Sequence, residues 1–242
     1  MKQTALITGA SKRVGRAITE YLAENGWSVI IHYNTSEKPA QELANKLKRK
    51  FPNQIFHPVQ ADLSNPEEVE QLIPKIISDF GKFQLLINNA SVFDSGYIAE
   101  TSLKLFESQI NVNLRAPFFL LRDFAKQCRS GNIINFVDTR VTMNKSNFAA
   151  YSLSKKGLWD LTKMAALEFG PDIRVNAIAP GVTLPPPDKD ENYLHQLAEN
   201  IPMKKPGGIE PILKSIDYIL TNYHLTGQLL FADGGENLGQ NV

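Results

Sequence analysis

Apolar residues recur along this chain in short, mostly continuous runs at residues 5–7, 29–31, 55–59, 85–87, 133–137, 174–178 and 228–231. Each run is apolar on consecutive positions rather than on alternate ones. A strand reads this way when helices cover both faces of its sheet, because neither side of the pleat meets water. Between the runs the apolar spacing changes to that of helices. One is expected over residues 16–25, closed by Gly26, and one over 36–50, stopped ahead of Pro52. Another follows Asp62: Ser64 or Asn65 offers a cap, Pro66 takes the first helical position, and Glu67 and Glu68 fill the first turn. Longer helices are expected over 101–128 and 150–169. Residues 180–211, rich in proline and charge, read as one long irregular loop, of the kind that often forms a lid. Strands alternating with helices at these intervals predict a doubly wound parallel sheet of about seven strands flanked by helices. No linker or repeat divides the chain, so residues 1–242 are expected to form a single domain.

Composition narrows the functional classes. The chain has 242 residues, a formal net charge of +1 and 43% hydrophobic residues. That balance carries no electrostatic footprint of a nucleic-acid binder. Cys128 stands alone and cannot form an internal disulfide, as befits a reducing compartment. The histidines, His32, His57, His195 and His224, lack metal-site spacing, so no metal is expected. No apolar stretch approaches the ~20 residues of a membrane span, and the first residues run at once into a strand pattern. The expectation is a cytoplasmic protein without membrane or nucleic-acid partners.

Two ends of the predicted sheet carry chemistry. After the first strand comes Thr8-Gly9-Ala10-Ser11-Lys12-Arg13-Val14-Gly15. A glycine turn between strand and helix lets backbone N–H groups and the helix N-terminus face a pyrophosphate. Gly9 would make the turn, and Gly15 would let the helix approach the strand. Arg13 replaces the middle glycine of the usual pattern. The second strand ends in His32-Tyr33-Asn34-Thr35-Ser36, with no carboxylate before Glu37. An acid there would hold a ribose 2′-OH and repel a 2′-phosphate. Its absence, with cationic Arg13 and the hydroxyls of Thr35 and Ser36, points to NADP. The other end is Tyr151-Ser152-Leu153-Ser154-Lys155. Residues four apart share a helix face, and a nearby ammonium would lower the phenol pKa and ready it for proton transfer.

The order Thr8-Gly9…Gly15, Asn88-Asn89-Ala90, Asn113, Tyr151…Lys155, Pro180-Gly181 resembles the short-chain dehydrogenase/reductase family over nearly the whole chain. The resemblance implies a Rossmann-like domain that forms a homotetramer through its two long helices. It makes Tyr151 the acid/base and Lys155 the residue that binds the nicotinamide ribose and tunes the tyrosine. It has Asn113 hold a proton-relay water and Asp62, followed by Leu63, meet the adenine. Asn89, Ala90 and Ser91 would flank the adenosine side. The expected cofactor-binding set is therefore Gly9, Ser11, Arg13, Val14, Gly15, His32, Tyr33, Asn34, Thr35, Ser36, Asp62, Leu63, Asn89, Ala90, Ser91, Lys155, Pro180 and Gly181.

One position departs from the family pattern. Where a serine usually binds the substrate carbonyl, thirteen residues before the tyrosine, stands Asp138. A carboxylate repels a developing oxyanion but suits a substrate with N–H donors. Thr139 is the neighbouring hydroxyl, though expected on the other face. Asp138, Arg13 and Phe93 together resemble a narrower group, the pteridine and dihydromonapterin reductases. In that group an Asp–Tyr–Lys set reduces a pterin, and an aromatic at the position of Phe93 stacks on the flat ring. The expected substrate-binding residues are Phe93, Asp138 and Tyr151, and the expected reaction is NADPH-dependent reduction of a dihydropterin. The rival readings are a carbonyl or 3-oxoacyl/enoyl thioester reductase and a non-catalytic dinucleotide binder.

Overall fold

The computed structural model describes residues 3–186 and 189–239. Seven strands form one parallel sheet in the order β3-β2-β1-β4-β5-β6-β7. They are β1 Thr4–Ile7, β2 Ser28–Tyr33, β3 Phe56–Gln60, β4 Leu85–Asn88, β5 Gly131–Phe136, β6 Ile173–Pro180 and β7 Leu229–Ala232. The helices are α1 Arg13–Glu24, α2 Glu37–Lys50, α3 Pro66–Phe80, α4 Leu103–Ile110, α5 Ala116–Gln127, α6 Ala149–Phe169, α7 Glu191–Ala198 and α8 Glu210–Thr221.

The mostly continuous apolar runs are explained by two cores, one on each face. Ala5, Ile7, Val29, Ile31, Leu85 and Ile87 pack under α1, α2 and α8. Leu6, Ile30, Leu86 and Ile133 pack on the opposite face under α3, α5 and α6. Successive side chains of a strand point to opposite faces, so each strand needs apolar residues at every step. The chain reverses direction across the sheet between β1 and β4, and that crevice opens beyond the strands' carboxyl ends, where ligands of such sheets bind.

Two expectations need correction. Residues 101–128 are not one helix: Asn111–Arg115 form a wide π-type turn between α4 and α5. Pro117 has no N–H to return to the Asn113 carbonyl four residues back, and the ladder opens there. Residues 180–211 are not one irregular loop either. Asp190 accepts from the Tyr193 N–H at 3.3 Å and caps α7, a signal overshadowed by the surrounding prolines. Of the consecutive prolines 185–187, Pro187 lies outside the described residues.

Candidate active site

At the nucleotide end, Gly9 takes a positive φ of +62°, a region open to glycine at little cost. A Cβ on Gly15 would fall 2.1 Å from the Gly9 carbonyl oxygen, so only glycine lets α1 come this close. Neighbouring residues brace the turn. The Thr8 hydroxyl accepts the N–H groups of Asn89 and Ala90, both at 3.0 Å, and the Asn89 amide donates to the Thr8 and Gly9 carbonyls. The first N–H groups of α1 have no partner within the helix. Lys12 supplies no side-chain cap, and the first turn holds no acid. Such an end is open to an anion.

His32, expected to touch the cofactor, is instead buried in the frame. Its Nδ1 accepts from the Gly9 N–H at 3.1 Å, and its Nε2 donates to the Ala61 carbonyl at 3.0 Å. With burial, which outweighs the opposing Ala61 bond, the ring is held neutral, its pKa lowered to about 4. Leu63 likewise packs into the core. Asn34, Thr35 and Ser36 lie at the solvent-facing end of β2, and Asn34 reaches Asp62 at 3.4 Å. Asp62 is in turn fixed by the N–H and hydroxyl of Ser64, each at 2.8 Å.

Arg13 also differs from expectation. Its guanidinium donates to the carbonyls of Pro185 at 2.8 Å and Leu184 at 3.3 Å. It thereby lines the same cavity as Tyr151 and Asp138, one that Thr35 and Ser36, grouped with it as candidates for the 2′-phosphate, do not line. That cavity, of about 240 Å³, also takes in Asn89, Ser91, Lys155, Pro180 and Gly181. At Gly181 a Cβ would lie 2.5 Å from the Asp233 Cα; the close passage of the β6 and β7 ends requires the glycine.

The catalytic pair occupies the first turns of α6. Both side chains are buried. The Tyr151 hydroxyl donates to Asp138 Oδ2 at 2.7 Å. The Lys155 ammonium donates to the Phe136 carbonyl at 2.8 Å and lies 5.7 Å from the Tyr151 ring centre. Burial, then the Asp138 charge and hydrogen bond, push the phenol pKa up. The direction is opposite to the lowering expected from the lysine, with burial the main cause and the carboxylate the second. Burial lowers the Lys155 pKa to about 8, against the pull of Asp138. Asp138 also does structural work: its Oδ1 accepts the Arg140 N–H at 2.9 Å and caps the short helical turn Thr139–Thr142. Thr139 is buried and is no substitute for the missing serine.

Asn113 is fully enclosed. Its Oδ1 accepts from the Ser91 hydroxyl and the Val92 N–H, both at 3.0 Å. Its amide donates to Val92, Gln109 and Ser154. The side chain is spent on tying the segment after β4 to α6, so holding a water would fall to its main-chain carbonyl.

Phe93 is no core residue; 54% of it is exposed. It stacks on Phe148 with ring centres 4.2 Å apart and planes 5° apart, and it meets Tyr151 edge-on at 4.6 Å. Arg140 lies over the other face of Phe148 at 4.9 Å. Sequence reading missed Phe148 and Arg140. The one available signal was that Phe148 precedes Tyr151 by one helical turn.

Comparison with known proteins agrees with this geometry. A family model described as short chain dehydrogenase matches residues 3–193. The 3-oxoacyl-[acyl-carrier-protein] reductase FabG of Staphylococcus epidermidis is 30% identical over 243 residues, covering 97% of this chain and 99% of the relative. The FolM alternative dihydrofolate reductase 1 of Brucella canis, solved with NADP, superimposes with a TM-score of 0.92 at 32% identity, over 99% of this chain and 96% of that one. A blue fluorescent protein from a metagenomic library, solved with NADPH, gives 0.88 at 26% identity, over 96% and 97%.

Proposed function

The chain belongs to the short-chain dehydrogenase family, and from that premise we propose that it is an NADPH-dependent reductase of a dihydropterin. The observation that carries this reading is the Asp138 carboxylate, 2.7 Å from the Tyr151 hydroxyl, where reduction of a carbonyl would want a neutral donor. A carboxylate there repels an oxyanion and accepts from the amino group and ring N–H of a pterin. The exposed Phe93 ring beside it offers a flat face for a bicyclic ring. The likeness to the FolM alternative dihydrofolate reductases of Brucella supports the same reading.

The nucleotide end fits the dinucleotide. The uncapped α1 terminus, the glycine pair and the acid-free end of β2 suit a phosphate-bearing cofactor. Gly9, Ser11, Arg13, Val14 and Gly15 would hold the pyrophosphate. Tyr33, Asn34, Thr35 and Ser36 would hold the ribose with its 2′-phosphate, and Asp62 the adenine. Asn89, Ala90, Ser91, Lys155, Pro180 and Gly181 would line the path to the nicotinamide. Bound NADPH supplies the hydride. Tyr151 gives its proton to the ring nitrogen of the C=N bond being reduced, while the carbon gains hydride. Lys155 stabilises the phenolate left behind, and the proton returns to Tyr151 from solvent past Asp138.

The homotetramer belongs to the same proposal. Apolar side chains stand exposed on α4, α5 and α6, among them Leu103, Phe118, Leu153, Met164 and Leu167, and patches of this kind mark association surfaces.

The FabG relatives favour a second reading, a 3-oxoacyl thioester reductase. NADPH oxidation with dihydrobiopterin, dihydrofolate and acetoacetyl-CoA separates them. The expected result is a kcat/KM for a dihydropterin at least about tenfold above that for the thioester, one charged hydrogen bond's worth. The reverse order overturns the pterin reading.

A further inference from the structure

A second cleft of about 240 Å³ lies beside the catalytic cavity. Arg140, Met143, Lys145, Val182, Ile201 and Glu236 are among its walls. It lies next to the catalytic cavity along the chain: Val182 lies in its wall, while Gly181 and Thr183 on either side of it line the catalytic cavity. Arg140 is two residues from Asp138 and stands two stacked rings from Tyr151, over Phe148, which lies on Phe93.

Arg140 keeps part of its guanidinium unengaged. Only Nη1 is engaged, donating at 3.1 Å to the main-chain and side-chain oxygens of Asn147. Nε and Nη2 make no hydrogen bond among the described residues, and neither is sealed from solvent. The ring beneath the guanidinium, Phe148, adopts a left-handed φ of +58°, a conformation that bulky residues avoid unless the surroundings impose it, commonly at functional sites. Among the lining residues Arg140 and Lys145 bring two positive charges against one acid, Glu236; its carboxyl is pushed toward its neutral form by burial, then by the nearby carboxylates of Asp138 and Asp233, against Lys145 and Thr139. A guanidinium with two open donors is suited to bind a carboxylate or phosphate in fork geometry.

We propose that this cleft receives an anionic group, carboxylate or phosphate, at the end of the substrate's side chain, with Arg140 as its anchor. The inference rests on the reading of the neighbouring cavity as the reduction site. It does not depend on which ring or carbonyl is reduced there.

The test uses wild type, Arg140→Gln, Arg140→Lys and Lys145→Gln on two pairs of substrates. Dihydrofolate, with a carboxylate-bearing tail, is paired with dihydrobiopterin, whose tail is uncharged. Acetoacetyl-CoA, with phosphates, is paired with acetoacetyl-N-acetylcysteamine, which has none. For the anionic member, Arg140→Gln should raise KM by about ten- to a hundredfold, the worth of a charge-assisted hydrogen bond, with kcat little changed. The neutral member should move less than about twofold, Arg140→Lys should recover part of the loss, and Lys145→Gln should raise KM in the same direction by less. Equal losses on both members of a pair, or no loss on either, overturn the proposal. Turnover of the thioesters without turnover of either dihydropterin overturns the pterin reading alone, and the thioester pair then decides the role of the cleft.

Discussion

The hydrogen bond between Tyr151 and Asp138 sets the chemistry at the scale of single residues. A phenol buried beside a carboxylate keeps its proton, which makes it an acid awaiting a basic nitrogen. Tyr151→Phe keeps the ring and its contact with Phe93, so NADPH affinity should hold while turnover falls by about 10²–10⁴, the usual worth of a positioned acid; stopped-flow and cofactor titration measure the two. Asp138→Ser separates the two duties of the aspartate. Serine can still cap the turn at residues 139–142, so the melting temperature should change little. The lost acceptor should cost dihydropterin kcat/KM about ten- to a hundredfold, while a small diketone is reduced as well or better. A uniform loss on both substrates with a lowered melting point would assign Asp138 to structure alone. Lys155 sets the pH limit. Its pKa is lowered to about 8, so the ammonium is charged below that value and neutral above it. The reduction rate should therefore decline as pH rises through about 8, because a neutral amine stabilises no phenolate; a profile flat to pH 10 would show that the charge is not used.

At the scale of elements, the strand–turn–helix at residues 4–24 is held open by absent side chains as much as by present ones. Gly15→Ala would drive a methyl into the Gly9 carbonyl, 2.1 Å away, and backbone cannot yield as a flexible side chain can. The expected outcome is NADPH affinity reduced by at least about tenfold, some 1.4 kcal/mol, read by quenching of protein fluorescence, with dihydropterin turnover lost in proportion. Elements were legible wherever burial on both faces forced a continuous apolar pattern. The sheet was therefore readable from its seven runs. The break at Asn111–Arg115 was not, because Pro117 can sit in the first turn of a helix as easily as it can break one. Helix α7 was missed because a cap at Asp190 carries little weight among so many prolines.

For the whole molecule, the exposed apolar residues of α4, α5 and α6 would be a solubility cost in a monomer. Leu153 is 56% exposed and Met164 63%. Sedimentation velocity should show a tetramer, and Met164→Glu or Leu153→Glu should shift it toward smaller species while each protomer keeps its far-ultraviolet dichroism. A monomeric wild type would remove the assembly from the proposal. Among the described residues no helix is long and apolar enough to cross a membrane, and no cluster of metal-ligating side chains occurs.

The sequence by itself determined the parallel sheet, the glycine turn and the Tyr151–Lys155 pair. Each rests on spacing along one element, and spacing is a local property. It also singled out Asp138 as the residue out of place. Only the tertiary structure decided what these residues meet. It turned His32 into a brace for Gly9, directed Arg13 to the carbonyls at residues 184 and 185, and aimed the Tyr151 hydroxyl's hydrogen bond at a carboxylate thirteen residues away. It also brought Arg140, Phe148 and Phe93 into one stack. Those outcomes depend on distances between segments far apart in the chain, set by how two cores pack on one sheet, and no periodicity along the chain encodes them.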